Sequence, residues 1–265
     1  MRKDYLTDDG HIEDDETDFV ERYWTAKWDE MGGPSDTVAN IPRKDEYKVM
    51  APYLKDLPRG ARMLDGGCGL GDWTIHFSEQ GWPTLGLDIS RKTVGALNTR
   101  FPEHDFQIGD IRATGLPDES FDAYFSWGTF EHFEAGLSPC IDEAYRVLKP
   151  GGLLFTSVPF DNLRHALRAA SDWRKSALPD KDGARFYQWR LTRGEFRDLV
   201  ALSGFEVLDI KAIGKRQGVL RSLQHEFGMP YQWLLSKAMS AAIAPVIPSG
   251  LVAHMLLAVA RKPKV

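Results

Sequence analysis

The sequence predicts an α/β fold built on a doubly wound, mostly parallel sheet. Between residues 60 and 160, short apolar runs alternate with segments of helical spacing, and this alternation implies parallel strands joined by right-handed crossovers. A glycine-rich run at residues 66–71 follows the first apolar run and precedes a helical segment, which is where such a fold places a ligand-binding turn. The 265 residues are 43% hydrophobic and 27% charged, a composition that supports a full hydrophobic core.

Each predicted element follows from a local pattern. Thr192 and Glu195 have the spacing of a capping box at the start of the last helix of the core, and Gly204 ends that helix. The predicted helices cover residues 73–80, 93–100, 137–148 and 192–203. The seven predicted strands cover residues 61–64, 83–87, 106–108, 121–127, 153–158, 205–213 and 252–260.

Charge and cysteine content exclude several classes of protein. The chain has 33 Lys and Arg against 38 Asp and Glu, a net charge of −5, and this field disfavours nucleic acid as a partner. Its two cysteines, Cys68 and Cys140, are far apart in sequence, so neither a disulfide framework nor a cysteine zinc site is expected. A reducing, cytoplasmic location fits this cysteine usage.

Residues 238–260 carry no charge and are long enough for a membrane-spanning helix. Pro245, Pro248 and Gly250 interrupt the stretch, because these residues break a helix that must satisfy its own backbone in lipid. The sequence therefore predicts a helix ending near residue 244 and a buried strand, not an integral span. Peripheral contact with a membrane or a lipid-like substrate stays open, as does the oligomeric state.

The glycine turn does not have the pattern of a phosphate-binding site. A P-loop requires a lysine after its glycines, and residues 64–80 contain none. A dinucleotide turn has its third glycine where this chain has Asp72, whose carboxylate would face a pyrophosphate. The glycines fall instead at positions 67, 69 and 71, after Asp65.

This D-x-G-x-G-x-G run resembles motif I of the class I S-adenosylmethionine-dependent methyltransferases. Residues 116–122 resemble that family's approach to strand four, and residues 148–152 resemble its turn into strand five. The resemblance covers residues 64–158 well and extends weakly to residue 260. It implies a Rossmann-like seven-stranded sheet with an antiparallel last strand, and S-adenosyl-L-methionine as cofactor.

Acidic residues after the predicted strands give the cofactor site its expected contacts. Asp88 follows the second strand, about 20 residues after the glycines. A carboxylate at this position can accept hydrogen bonds from both ribose hydroxyls, and NAD-binding sites have an acid at the same place. By resemblance, Asp110 and Ile111 hold the adenine and Ser126 meets the methionine part. The residues predicted to bind the cofactor are Asp65, Gly67, Gly69, Asp88, Ile89, Asp110, Ile111 and Ser126.

His132 is the candidate catalytic residue. It follows the fourth predicted strand next to Glu131, and the pKa of an unperturbed histidine suits a general base near neutral pH. A role in packing or in starting a helix is an alternative interpretation. Glu131, His132 and Glu134 do not have an established metal-ligand spacing, so no metal is expected.

Under the resemblance, the chain divides into an acidic flexible tail at residues 1–18 and a single methyltransferase domain at residues 19–265. The domain is expected to comprise a helical N-terminal cap (19–57), a cofactor-binding core (58–160), a lid insertion (161–197) and an insertion before the last strand (214–250).

Two segments are expected to shape the acceptor site. Tyr23, Trp24 and Trp28 lie on a predicted helix that either closes over the cofactor or packs on the core. Residues 160–197 have nine basic residues against five acids, which favours an anionic acceptor, although a solvated helix face has the same pattern. The basic residues are Arg164, Arg168, Arg174, Lys175, Lys181, Arg185, Arg190, Arg193 and Arg197.

The predicted function is a methyltransferase that acts in biosynthesis on a small molecule or on a glycan or lipid intermediate. Transfer to oxygen or nitrogen is favoured, and carbon is not excluded. Two alternatives remain: a methyltransferase for protein or RNA, and a module that binds S-adenosylmethionine without catalysis.

Overall fold

The computed structural model describes residues 1–7, 15–33, 37–165 and 184–264. Short 3-10 helices at Thr37–Arg43 and Phe130–His132 supplement the regular elements. The strands are β1 (Arg2–Thr7), β2 (Met63–Gly66), β3 (Thr84–Asp88), β4 (Asp105–Ile108), β5 (Phe121–Trp127), β6 (Leu148–Pro159), β7 (Ala184–Arg190), β8 (Glu206–Ile213) and β9 (Met255–Arg261). The helices are α1 (Glu16–Glu30), α2 (Asp45–Leu54), α3 (Asp72–Glu79), α4 (Arg91–Arg100), α5 (Ser138–Val147), α6 (Arg193–Leu202), α7 (Lys215–Phe227), α8 (Leu234–Ile243) and α9 (Ser249–Val252).

The central sheet has seven strands in the order β4-β3-β2-β5-β6-β9-β8. The first five of these strands pair in parallel, and β9 runs antiparallel to both β6 and β8. This arrangement confirms the predicted doubly wound sheet with an antiparallel last strand. Because the strand order reverses between β2 and β5, the sheet opens a crevice at their carboxyl ends.

Apolar packing on both faces of the sheet explains why its strands read as continuous hydrophobic runs. All residues of β2 and β3 are buried. On one face a cluster that includes Tyr124 and Phe130 packs under α5, and on the other Phe77 and Phe125 belong to a second cluster. The capping box at Thr192 and Glu195 is present as predicted and starts α6.

The amino-terminal segment corrects the expectation of a flexible tail at residues 1–18. Residues Arg2–Thr7 form β1, which pairs antiparallel with β7, and α1 begins at Glu16. Asp4 stabilises this small sheet, because its Oδ2 accepts hydrogen bonds from Arg190 Nε at 2.6 Å and Gln188 Nε2 at 2.8 Å. The acidic composition of the segment did not predict this strand, because its pairing partner lies about 180 residues further along the chain.

The predicted lid at 161–197 lies partly outside the described residues, which omit residues 166–183. The described remainder contributes β7 and the start of α6. The division of the chain into one domain with a cap and a lid stays a prediction.

The insertion at 214–250 comprises α7, α8 and the first half of α9. Because α9 continues to Val252, the last strand begins at Met255 instead of residue 252. Of the helices in the described ranges, none is both long enough and apolar enough to cross a membrane.

Candidate active site

The glycine turn between β2 and α3 brings bare backbone to the crevice. Gly67 and Gly69 have φ angles of +76° and +52°, in a backbone region that residues with a side chain rarely adopt. A Cβ on Gly67 would lie 2.6 Å from Thr129, and one on Gly69 would lie 2.8 Å from the Trp28 ring. Glycine is therefore required at both positions by conformation and by space.

Asp65 and Ser126, both predicted to contact the cofactor, lie beneath this turn and not in a cavity. Asp65 Oδ2 accepts a hydrogen bond from Thr74 Oγ1 at 2.8 Å, and Ser126 Oγ donates to the Gly66 carbonyl oxygen at 2.7 Å. Burial raises the pKa of the Asp65 carboxyl to about 7. These contacts tie the turn to α3 and β5.

A first cavity opens at the carboxyl ends of β2 to β5. It brings together six of the nine predicted site residues, and Gly69 lies at its edge, against Trp28. Its floor is formed by Gly67, Asp88, Ile89, Gly109, Asp110, Ile111, Trp127, Gly128 and Thr129. Its cover is formed by Val20, Trp24, Trp28, His132 and Phe133.

Asp88 is the buried carboxylate of the first cavity. Its Oδ2 accepts from the Gly69 backbone N–H at 2.8 Å and its Oδ1 from the Ser90 N–H at 2.9 Å. Burial raises the pKa of this carboxyl, and the two backbone N–H groups oppose that shift. Each oxygen keeps a further lone pair, so the carboxylate can accept hydrogen bonds from two hydroxyl groups.

Asp110 takes part in a network that ends on helix α1. Arg112 donates to Asp110 Oδ2 through a terminal guanidinium nitrogen at 2.6 Å, to Glu16 Oε2 at 2.7 Å and to Thr17 Oγ1 at 2.8 Å. The Arg112 guanidinium also lies 4.1 Å from the centre of the Phe133 ring. Asp110 is therefore joined to the first turn of the covering helix.

Two tryptophans of α1 cover the first cavity. The rings of Trp24 and Trp28 stack with centroids 5.0 Å apart. Among the described residues, the indole N–H groups of Trp28 and Trp127 are buried without a hydrogen-bond acceptor. Both indoles line the cavity, so two donors are available there.

His132 lies at the boundary between the first cavity and a second one. Its Nδ1 is 2.7 Å from the Tyr187 carbonyl oxygen, and because a carbonyl only accepts, Nδ1 carries the proton and Nε2 has the lone pair. Burial lowers the pKa of His132 to about 4. The imidazole is therefore neutral at physiological pH, and its Nε2 has a free lone pair but is a weaker base than the unperturbed histidine assumed from the sequence.

The second cavity shares Trp24, Gly128 and His132 with the first. Its other walls come from segments that are distant in sequence: β1, the 3-10 helix at Phe130–His132, the end of β6, β7, α7 and the start of β9. They are Lys3, Asp4, Tyr5, Glu131, Pro159, Tyr187, Gln188, Arg190, Arg221, His254 and Met255.

Positive charge dominates this second cavity. Arg190 is only 9% exposed and pairs with Asp4. Its Nη1 atom has no hydrogen-bond partner in the described chain, and neither has Arg221 Nε. Burial raises the pKa of Glu131 to about 8, so this acid is mostly neutral near pH 7. Burial, reinforced by Arg221 and Arg190, lowers the pKa of His254 to about 3.

The sequence predictions account for the two cavities unequally. Arg190 was predicted within the basic segment, whereas Arg221, His254 and Asp4 were missed, and no local motif marks them. Glu134 points toward Lys3, with 2.6 Å between Oε1 and Nζ, while Glu131 is buried in the second cavity. Within the described ranges, no group of three or more potential ligands is arranged to hold a metal ion.

Comparison with known proteins agrees with this geometry. A family model described as a methyltransferase domain matches residues 64–156. A probable S-adenosylmethionine-dependent methyltransferase of Mycolicibacterium smegmatis is 28% identical over 165 residues, which are 62% of this chain and 59% of the relative. The malonyl-[acyl-carrier protein] O-methyltransferase of Methylococcus capsulatus is 36% identical over 151 residues, 52% of this chain and 53% of that protein.

A solved structure extends the fold comparison to almost the whole chain. Phosphoethanolamine N-methyltransferase 2 of Haemonchus contortus, in complex with S-adenosyl-L-methionine, has a TM-score of 0.59 at 16% identity, covering 95% of this chain and 60% of that one. At this identity the likeness concerns the fold alone. The chain spans about half the length of the curated relatives it matches, 59% and 45% for two of them.

Strand order, the position of the glycine turn and the matched domain lead to one family. They confirm the resemblance seen in the sequence to the class I S-adenosylmethionine-dependent methyltransferase superfamily: residues 64–156 match its methyltransferase domain, and the sheet has the strand arrangement expected from that resemblance.

Proposed function

We propose that the chain is an S-adenosylmethionine-dependent methyltransferase that methylates oxygen or nitrogen of a small anionic molecule or of a glycan or lipid intermediate. The cofactor occupies the first cavity and the acceptor the second. The observation that carries this proposal is the junction of the two cavities at Trp24, Gly128 and His132. A junction of this kind lets two reactants meet in line while the protein excludes bulk water.

The first cavity fits the cofactor on its own chemistry. Asp88 has lone pairs for two ribose hydroxyls, and Ile89 and Ile111 provide apolar walls for an adenine ring. The buried indole N–H groups of Trp28 and Trp127 lack acceptors in the described chain, and the carboxylate of a methionine moiety would supply them. When bound, S-adenosylmethionine supplies an electrophilic methyl group that is bonded to its sulfonium sulfur.

His132 is placed to remove a proton from the acceptor. Its Nδ1–H donates to the Tyr187 carbonyl, which holds the ring with Nε2 as the basic nitrogen. Trp24 packs edge-on against the imidazole, with ring centroids 5.0 Å apart. This packing holds the base at the boundary between the cavities, which is where the acceptor atom must lie for transfer.

An anionic group on the acceptor would compensate the charge of the second cavity. Asp4 pairs with Arg190, and Glu131 is neutral, so among the described lining residues Arg221 faces no acid of its own. A carboxylate or phosphate would accept hydrogen bonds from Arg221 and from the remaining Arg190 nitrogen. The malonyl group, after which one similar protein is named, carries a carboxylate of this kind.

Calorimetry and a transfer assay test the proposal together. We expect S-adenosylmethionine to bind the purified protein, and labelled methyl to pass to an anionic fraction of a metabolite extract. Arg221→Met should reduce transfer at least about tenfold, consistent with loss of a charge-assisted hydrogen bond, without changing cofactor affinity. Arg197→Met, an exposed change on α6, is the matched control.

The outcomes separate the competing functions. Cofactor binding with no transfer to any fraction would favour a non-catalytic module, and transfer only to protein or RNA would favour the macromolecular alternative.

Both buried cysteines are unpaired, which supports a reducing, cytoplasmic setting for the reaction.

A further inference from the structure

Helix α8 buries two serines and exposes two leucines, although Met239 and Ile243 of the same helix pack inward on a small apolar cluster. Ser236 and Ser240 are completely buried, whereas Leu234 is 83% and Leu235 58% exposed. Ala238, Ala241 and Ala242 continue the exposed side. A surface helix of a globular protein normally shows the opposite arrangement, so this outward face lacks the apolar partner that its composition favours.

Further exposed hydrophobic residues lie at the end of α7, just before α8 and just after it in the sequence. Phe227, which ends α7, is 73% exposed, and Trp233, which precedes α8, is 52% exposed. Val246, beyond the other end of α8, is 82% exposed. Five of the eleven large hydrophobic residues that are exposed in the described chain fall in residues 227–246. We call Phe227, Trp233, Leu234, Leu235 and Val246 the α8 face.

Basic side chains outnumber acids around the α8 face: Lys48, Lys211, Lys215 and Arg216 line the groove beside α8 together with Asp45, and Glu226 precedes Phe227. From residue 227 to the carboxyl end the sequence contains no Asp or Glu. Basic side chains flank the helix: Lys215 Nζ lies 3.4 Å from the Pro245 carbonyl oxygen, and Arg216 Nε lies 3.4 Å from Ser240 Oγ. Lys237 is exposed on α8 itself. Leucine and tryptophan side chains bordered by lysine and arginine match an anionic lipid surface.

Helix α7 connects this face to the second cavity. Arg221 lines the cavity from the middle of α7, and Phe227 ends the same helix on the α8 face. At ten residues, α8 is too short to span a bilayer, so it suits a position in the plane of the interface. We propose that the α8 face docks the protein on an anionic membrane surface, with the second cavity on the adjoining part of the molecule.

Vesicle sedimentation tests the docking surface directly. The full chain should bind vesicles of equal parts phosphatidylglycerol and phosphatidylcholine, bind pure phosphatidylcholine more weakly, and dissociate as salt is raised. The double change Leu234→Ser and Leu235→Ser should lower the bound-to-free ratio about tenfold or more, since two leucines would no longer leave water. Leu202→Ser, which alters a residue that is 85% exposed on α6, should leave binding unchanged.

Three results would overturn the proposal. They are no vesicle binding by the unaltered protein, equal binding by the double variant, and self-association in solution that the double variant abolishes, which would assign the face to a second copy of the chain. Calorimetric titration with S-adenosylmethionine shows whether the double variant is folded. Retained cofactor affinity together with lost vesicle binding supports docking independently of methyl transfer.

Discussion

The two cavities differ in how the chain builds them. The first is formed by turns at the carboxyl ends of four adjacent strands, all within residues 67–133, with one helix as a cover. The second draws its walls from β1, the 3-10 helix at Phe130–His132, the end of β6, β7, α7 and β9, between Lys3 and Met255. Under the proposed function, cofactor recognition depends on short contiguous motifs, whereas acceptor recognition depends on contacts between distant segments.

Removing His132, which both cavities share, should have the largest effect. His132→Asn removes a basic nitrogen from the boundary, and loss of a general base typically lowers the rate about 100-fold or more. Affinity for S-adenosylmethionine should change little, because Asp88 and Asp110 remain. Single-turnover rates and calorimetry separate these effects, and wild-type turnover in the variant would leave His132 with a packing role alone.

The pH profile of the unaltered enzyme tests the same assignment. Burial lowers the pKa of His132 to about 4, so Nε2 stays unprotonated well below the usual range for histidine. Activity governed by this group should therefore stay constant from pH 8 to pH 6 and fall only toward pH 4. An inflection near pH 6.5 that is absent in His132→Asn would contradict the buried, neutral imidazole.

The next largest effect belongs to the first cavity. Asp88→Ala removes the acceptor of the Gly69 and Ser90 N–H groups and of the two expected ribose hydroxyls. Charge-assisted hydrogen bonds contribute about 1.5–3 kcal/mol each, so the dissociation constant for S-adenosylmethionine should rise roughly 100-fold. Calorimetry measures the change, and Asp142→Ala, at an exposed position on α5, is the control. Unchanged affinity in Asp88→Ala would overturn the ribose assignment.

These two variants also show how far the sequence could predict the site. Asp88, Ile89, Asp110 and Ile111 were predictable because each follows a strand, and parallel strands bring their carboxyl ends to one edge. Asp65 and Ser126 follow the same rule but point beneath the turn, a difference of side-chain direction that spacing does not specify.

The second cavity could not be predicted in this way. Asp4 was assigned to a tail, and its role depends on β1 pairing with β7. Arg221 lies in an insertion whose helical spacing gives no sign that one arginine faces inward. Contacts of this kind depend on the relative placement of whole elements, which no local motif records.

A smaller effect should distinguish the second cavity through the pH dependence of stability. Burial raises the pKa of Glu131 to about 8, against about 4.5 when unfolded. Between these values the folded state binds the extra proton, so this group stabilises the fold at low pH and loses that contribution as pH rises. Glu131→Gln should therefore gain stability relative to the unaltered protein, by up to about 1.4 kcal/mol for each pH unit between pH 5 and pH 8.

Urea unfolding at the two pH values measures this difference. Glu206→Gln, at an exposed position at the start of β8, is the matched control and should show no comparable gain. A constant gap between Glu131→Gln and the unaltered protein would mean that Glu131 keeps the same charge in the folded and unfolded states, and the second cavity would then contain a further negative charge.

The smallest effect should come from the cover of the first cavity. Glu16 ties α1 to Arg112 and thereby to Asp110, but it is about one-third exposed, and partly exposed ion pairs contribute roughly 0.5–1 kcal/mol. Glu16→Gln should therefore raise the dissociation constant for S-adenosylmethionine only about two- to fivefold, chiefly through faster release. Glu30→Gln removes the partner of Lys27 at the other end of the same helix and should have no effect. Equal effects of the two changes would mean that α1 covers the cavity through its tryptophans alone, without help from the Arg112 network.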